Sequence, residues 1–119
     1  MIGNAKVKIY LGNNSANLIV AGSEKSIIIG KGGNDCSDAG AGDDVVVAGD
    51  GNDEVKLGQG RDLGLGGTGN DIIRGEQGND HIQGQEGNDD LNGGANTDLC
   101  NGQGGVDTVA QCEQVLGIP

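Results

Sequence analysis

The chain has no phenylalanine, no tryptophan, one tyrosine, one proline and one methionine in 119 residues. Aromatic rings bring the largest apolar surfaces to a core, so an ordinary globular interior is excluded. Basic residues are scarce: seven stand against eighteen acidic ones, and a net charge of −11 leaves no cationic footprint for nucleic acid. No run reaches the roughly 18 apolar residues of a membrane-spanning helix. The start, Met1-Ile2-Gly3-Asn4, lacks the basic-then-apolar pattern of a secretion signal. The single histidine, His81, is paired with no nucleophile, so no active site and no enzyme are expected. Glycine is what the chain has in excess, with 26 residues, roughly three times the usual share. Glycine raises the entropy lost on folding, and composition alone would describe a disordered acidic segment.

The order of the residues argues against disorder. From Gly66 to Asn92 the chain reads in nines, each block with Gly-Asn-Asp at places four to six and an aliphatic residue at place eight. Extended through 30–110, the register puts a carboxylate at place six every time: Asp35, Asp44, Asp53, Asp62, Asp71, Asp80, Asp89, Asp98 and Asp107. Place four is glycine throughout, except at Asn96. Before Gly30 only the apolar ends keep the spacing, and Lys8, Asn17 and Ser26 stand at place six. The chain thus reads as a single unit over 1–119, with degenerate metal-free repeats at 3–29, metal-binding repeats at 30–110 and a cap at 111–119.

Places seven to nine predict a short strand whose middle side chain points inward. The six residues before it predict a glycine-rich turn. Two nonapeptides make one coil of about 18 residues, with an inner column of Tyr10, Ile19, Ile28, Ser37, Val46, Val55, Gly64, Ile73, Ile82, Leu91, Cys100 and Val109. Ser37 and Gly64 are its weak points, where the alternation is open to slipping. The expected fold is all-β: a right-handed parallel β-roll, or β-solenoid, of about six two-strand coils.

The block pattern G-G-x-G-x-D-x-U-x, U being a large apolar residue, resembles the RTX, or hemolysin-type, calcium-binding nonapeptide repeat, in particular its small secreted bacterial members. The resemblance implies calcium held between turns eighteen residues apart, with each shared aspartate bridging the ions above and below it. Carbonyls at places one and three complete the shell, which names Gly66, Thr68, Gly75, Gln77, Gly84 and Glu86. Such an oxygen set suits the six to eight hard ligands that calcium takes. One edge stacks Asp35, Asp53, Asp71, Asp89 and Asp107; the other stacks Asp44, Asp62, Asp80 and Asp98. Their gaps suggest about seven ions at full occupancy. Asp38, Asp43, Asp50 and Asp90 are expected to be solvated surface.

The ending around Cys112 is similar to that of family members carrying a cysteine pair, which implies a Cys100–Cys112 disulfide and an oxidising, extracellular location. Two reduced thiols are the alternative, and Cys36 is left over. Gly64-Leu65-Gly66-Gly67-Thr68-Gly69 also fits a dinucleotide fingerprint, but no βαβ pattern surrounds it and the nonapeptide already explains its glycines.

On alternate blocks the outward residues are Ile9, Leu11, Ile27, Ile29, Val45, Val47, Leu63 and Leu65. This apolar ladder predicts self-association or a protein partner, since such patches mark interaction surfaces; the alternative is that Val115, Leu116 and Ile118 of the tail fold back over it. The resulting expectation is an extracellular, calcium-folded structural or assembly module, with a filament subunit stacked through its open ends as one form of assembly. Its rivals are the repeat domain of a larger secreted enzyme or toxin, and an adhesive or ice-binding surface. The last needs a regular outward threonine and asparagine ladder on the turns; Asn34, Asn52, Asn70, Asn79 and Asn88 supply part of one, but at place three only Thr68 is found from Gly32 to Glu86.

Overall fold

The computed structural model describes residues 7–116. Residues 3–6 of the first block and 117–119 of the expected cap, Ile118 included, lie outside this range. Thirteen strands follow one another: β1 (Val7–Leu11), β2 (Leu18–Val20), β3 (Lys25–Ile29), β4 (Cys36–Asp38), β5 (Val45–Val47), β6 (Glu54–Lys56), β7 (Leu63–Leu65), β8 (Ile72–Arg74), β9 (His81–Gln83), β10 (Asp90–Asn92), β11 (Leu99–Asn101), β12 (Thr108–Ala110) and β13 (Gln114–Leu116). No helix occurs among the described residues. Odd-numbered strands form a seven-stranded sheet and even-numbered strands a six-stranded sheet. All pairings are parallel, with Ile28 beside Val46 and Val55 beside Ile73, eighteen residues on in each case. The chain therefore winds as a flattened β-solenoid of about six coils.

The expected inner column lies inside. Ile28, Val46, Val55, Ile73, Ile82, Leu91 and Cys100 are fully buried, while Tyr10 and Val109, in the outer coils, pack against them. The alternation does not slip at Ser37 or Gly64, both of which keep their inward register. Place one also points inward, which the strand pattern alone does not reveal: Ala39, Ala48 and Leu57 join the core. β1 and β3 are five residues long rather than three, because residues before their apolar ends also pair.

The tail adds a strand that the nine-residue spacing does not foresee. β13 pairs with β11, so Val115 extends the sheet instead of folding over its outer face. The Cys100–Cys112 disulfide is present, and Cys36 is a free, exposed thiol on β4.

Candidate metal centre

From Lys31 to Gly105 each turn between strands holds residues in the left-handed backbone region at places two and four. Gly67 and Gly69 adopt φ of 90° and 97°. A Cβ on Gly69 would also strike the Gly51 carbonyl one coil below, so a side chain at Gly69 is opposed twice over. Lys31, Glu76, Gln85 and Gln103 nevertheless take positive φ at place two, as does Asn96 at place four. The turn geometry is thus imposed by the stack, at about 1–2 kcal/mol for each such residue.

The place-six aspartates close these turns. Asp35, Asp44, Asp53, Asp62, Asp71, Asp80, Asp89 and Asp98 are all at most 4% exposed. In each, Oδ1 accepts the backbone N–H of the residue eighteen positions earlier: Asp53 N–H donates to Asp71 Oδ1 at 2.8 Å and Asp62 N–H to Asp80 Oδ1 at 2.9 Å. Asp107 continues the series, accepting from Asp89 N–H at 2.8 Å. The second oxygen, Oδ2, is buried and has no hydrogen-bond partner in any of the nine. Nine orphaned carboxylate oxygens in a small protein are a large unmet demand, since a buried polar group without a partner is costly.

The surroundings of Oδ2 suit a hard cation. A Cβ on Gly66 would lie 2.6 Å from Asp71 Oδ2 and 2.7 Å from the Gly84 carbonyl oxygen, so both oxygens border one cradle beside Gly66. On Gly75 the same point is 2.6 Å from Asp80 Oδ2 and 2.6 Å from the Gly93 carbonyl. Backbone hydrogen bonds between the turns end on carbonyls at places two, six and nine. Those at places one and three, including Gly66, Thr68, Gly75, Gln77, Gly84 and Glu86, accept none of these bonds. Among the described residues no three His, Cys, Asp or Glu side chains converge. That fits a donor set in which main-chain oxygens outnumber carboxylates.

Without a cation the carboxylates resist ionisation. Burial raises Asp62 and Asp71 to about 8, against the lowering effect of the N–H groups of Asp44 and Asp53. Burial likewise lifts Asp80 to about 7 and Asp44, Asp53 and Asp89 to about 6, and raises Asp98. Neighbouring aspartates add to most of these shifts, because like charges along one edge repel.

The repeats before Gly30 have no such demand. Asn17 Oδ1 accepts from Asn13 N–H at 2.9 Å, and Ser26 Oγ donates to the Glu24 carbonyl at 3.0 Å. Neutral side chains satisfy themselves there.

The stacking role of place five is not visible in the sequence. Asn34, Asn52, Asn70 and Asn88 each accept, through Oδ1, the N–H of the residue one coil on, all at 2.8 Å. The recurring Gly-Asn-Asp was the available signal, and the asparagine serves the stacking. Of the aspartates expected as surface, Asp43 accepts from Arg61 N–H at 2.9 Å and Asp50 from Thr68 Oγ1 at 2.7 Å. His81 is half-buried on β9, with Nε2 3.3 Å from Gln83 Nε2. An open groove of about 370 Å³ runs along the second edge past Asp44, Asp62, Asp80 and Asp98, with Lys25 and Arg61 in its wall.

The apolar ladder lies on the odd-numbered sheet. Ile9 and Leu11 are 64% and 63% exposed, whereas Ile27, Ile29, Val45, Val47, Leu63 and Leu65 are half-buried. Leu18 and Val20, on the other sheet, are also exposed, so the first coil is apolar on both faces.

Compared with known proteins, the chain matches a model of the RTX calcium-binding nonapeptide repeat in four copies, at residues 11–46, 37–64, 65–100 and 78–109. No curated protein and no solved structure matches it.

Proposed function

Because the chain belongs to the RTX calcium-binding nonapeptide repeat family, we propose that this calcium-binding β-roll is a non-enzymatic extracellular module whose folding is switched by the ion. The observation that carries this reading is the double row of buried, partnerless Oδ2 atoms facing free carbonyls. Calcium supplies two positive charges and a demand for six to eight oxygens. The protein supplies the rest. Asp53, Asp71 and Asp89 fix one oxygen on a backbone N–H and hold the other toward the cradle. The turns bring place-one carbonyls to the same space and leave those at place three without backbone partners. Between the aspartates of the two edges there are four gaps and three, which supports about seven ions.

Metal binding and folding are then one event, since the site exists only in the stacked chain. Circular dichroism should show a β spectrum in millimolar calcium and a largely unfolded one in chelator. A β spectrum that persists unchanged in chelator would sink this reading.

The folded roll associates with a second copy or a protein partner through the apolar ladder and the first coil. The support is the exposure of Val7, Ile9 and Leu11 on one sheet and of Leu18 and Val20 on the other. Sedimentation in calcium is expected to give particles larger than the 11.8 kDa chain, and a strict monomer would remove the self-association half of the proposal. The Cys100–Cys112 disulfide supports an oxidising compartment outside the cell.

A further inference from the structure

The tail repeats the geometry of a metal turn without repeating its sequence. Register with β11 puts Gln114 beside Leu99, so Glu113 stands opposite Asp98 after fifteen residues instead of eighteen. Glu113 Oε1 accepts Asp98 N–H at 2.8 Å. Asp98 Oδ1 takes the same bond, at the same distance, from Asp80 N–H. Gln114 N–H donates to the Asp98 carbonyl at 3.0 Å, as Leu99 N–H does to that of Asp80 at 2.9 Å. A turn three residues short is thus bridged by a side chain one methylene longer than aspartate. The disulfide to Cys100 anchors Cys112, the residue next to Glu113.

The cradle is there too. A Cβ on Gly93 would lie 2.5 Å from the Gln111 carbonyl oxygen and 2.7 Å from Asp98 Oδ2, the arrangement found at Gly66 and Gly75. Asp98 is 1% exposed and its Oδ2 has no partner.

We propose that Asp98, Glu113 and the Gln111 carbonyl form a further calcium site at the C-terminal end of the second edge, outside the nonapeptide pattern. It gives each edge five stacked carboxylates and raises the capacity of the roll by one ion. The exposed side of Glu113 is its entry path.

The proposal rests on calcium binding by the aspartate rows, and ion counting separates the two. Calcium bound by the full, oxidised chain at saturation is counted by equilibrium dialysis with metal analysis, for the wild type and for Glu113→Gln. Glutamine keeps an oxygen to accept Asp98 N–H, so the turn is retained while the charged ligand is lost. The expected result is one ion fewer with the same β spectrum. An equal count in the two proteins overturns the site but leaves the rows intact, and a wild type that binds no calcium overturns both. If Glu113→Gln fails to fold in calcium, Glu113→Asp decides. Folding of the aspartate variant shows that the carboxylate itself is required and supports the site; failure of both assigns Glu113 a packing role and overturns it.

Discussion

Leu57 stands at place one, where glycine or alanine is found in neighbouring blocks, and it is fully buried. The space comes from Gly64, whose missing side chain leaves room on the inner column. A Cβ there would lie 3.2 Å from Leu57 Cδ1 and 3.3 Å from Ile73 Cγ2. The two residues exchange volume across the coil, so the apparent defect at Gly64 is filled from the turn before it. Leu57→Ala would open a cavity in mid-stack and is expected to cost about 2–5 kcal/mol. Gly64→Ala asks flexible side chains to move by a few tenths of an ångström and should cost well under that. Urea unfolding in saturating calcium measures both, and equal costs would refute the exchange of volume.

At the scale of the turn, the aspartates set a pH dependence whose sign reverses with the metal. In the metal-free roll Asp44, Asp53 and Asp89 titrate near about 6, Asp80 near about 7, and Asp62 and Asp71 near about 8. Unfolded aspartates release their protons near about 4. Between these limits the folded chain holds more protons than the unfolded one, so stability falls as pH rises from about 4 to about 8. Residual β structure in chelator should therefore be greatest near pH 4 and vanish toward pH 8. With calcium the order inverts, because protons compete for the same oxygens. Circular dichroism across this range checks both arms, and a metal-free roll that gains structure with rising pH would contradict the account.

Over the whole molecule, charge is strongly polarised. Residues 1–31 hold four lysines and one glutamate, a net +3; the remainder holds three basic and seventeen acidic residues, a net −14. Seven divalent ions would offset that −14. The calcium-loaded body then carries little charge, and association through the apolar first coil meets little repulsion. Ile9→Lys with Leu11→Lys places two charges on exposed positions of the ladder in the first coil. This variant should keep the calcium-dependent β spectrum and sediment as a smaller species than the wild type. Unchanged sedimentation would move the interface elsewhere.

Much of this was legible in the sequence because a nine-residue period constrains everything locally: which residue is inside, which is in a turn, and which carboxylates stack eighteen apart. From Gly30 to Ala110 the blocks keep one length, so sequence spacing converts directly into spatial neighbours. The sequence by itself determined the all-β coil, the two rows of aspartates and the apolar outward ladder. It did not determine the strand after Cys112 or the place of Glu113, because the tail breaks the period and finds its register only by pairing with β11. Nor did it show that Leu57 fills the gap at Gly64 or that the place-five asparagines join the coils. Those contacts depend on how one coil lies against the next, and only the tertiary stack decides them.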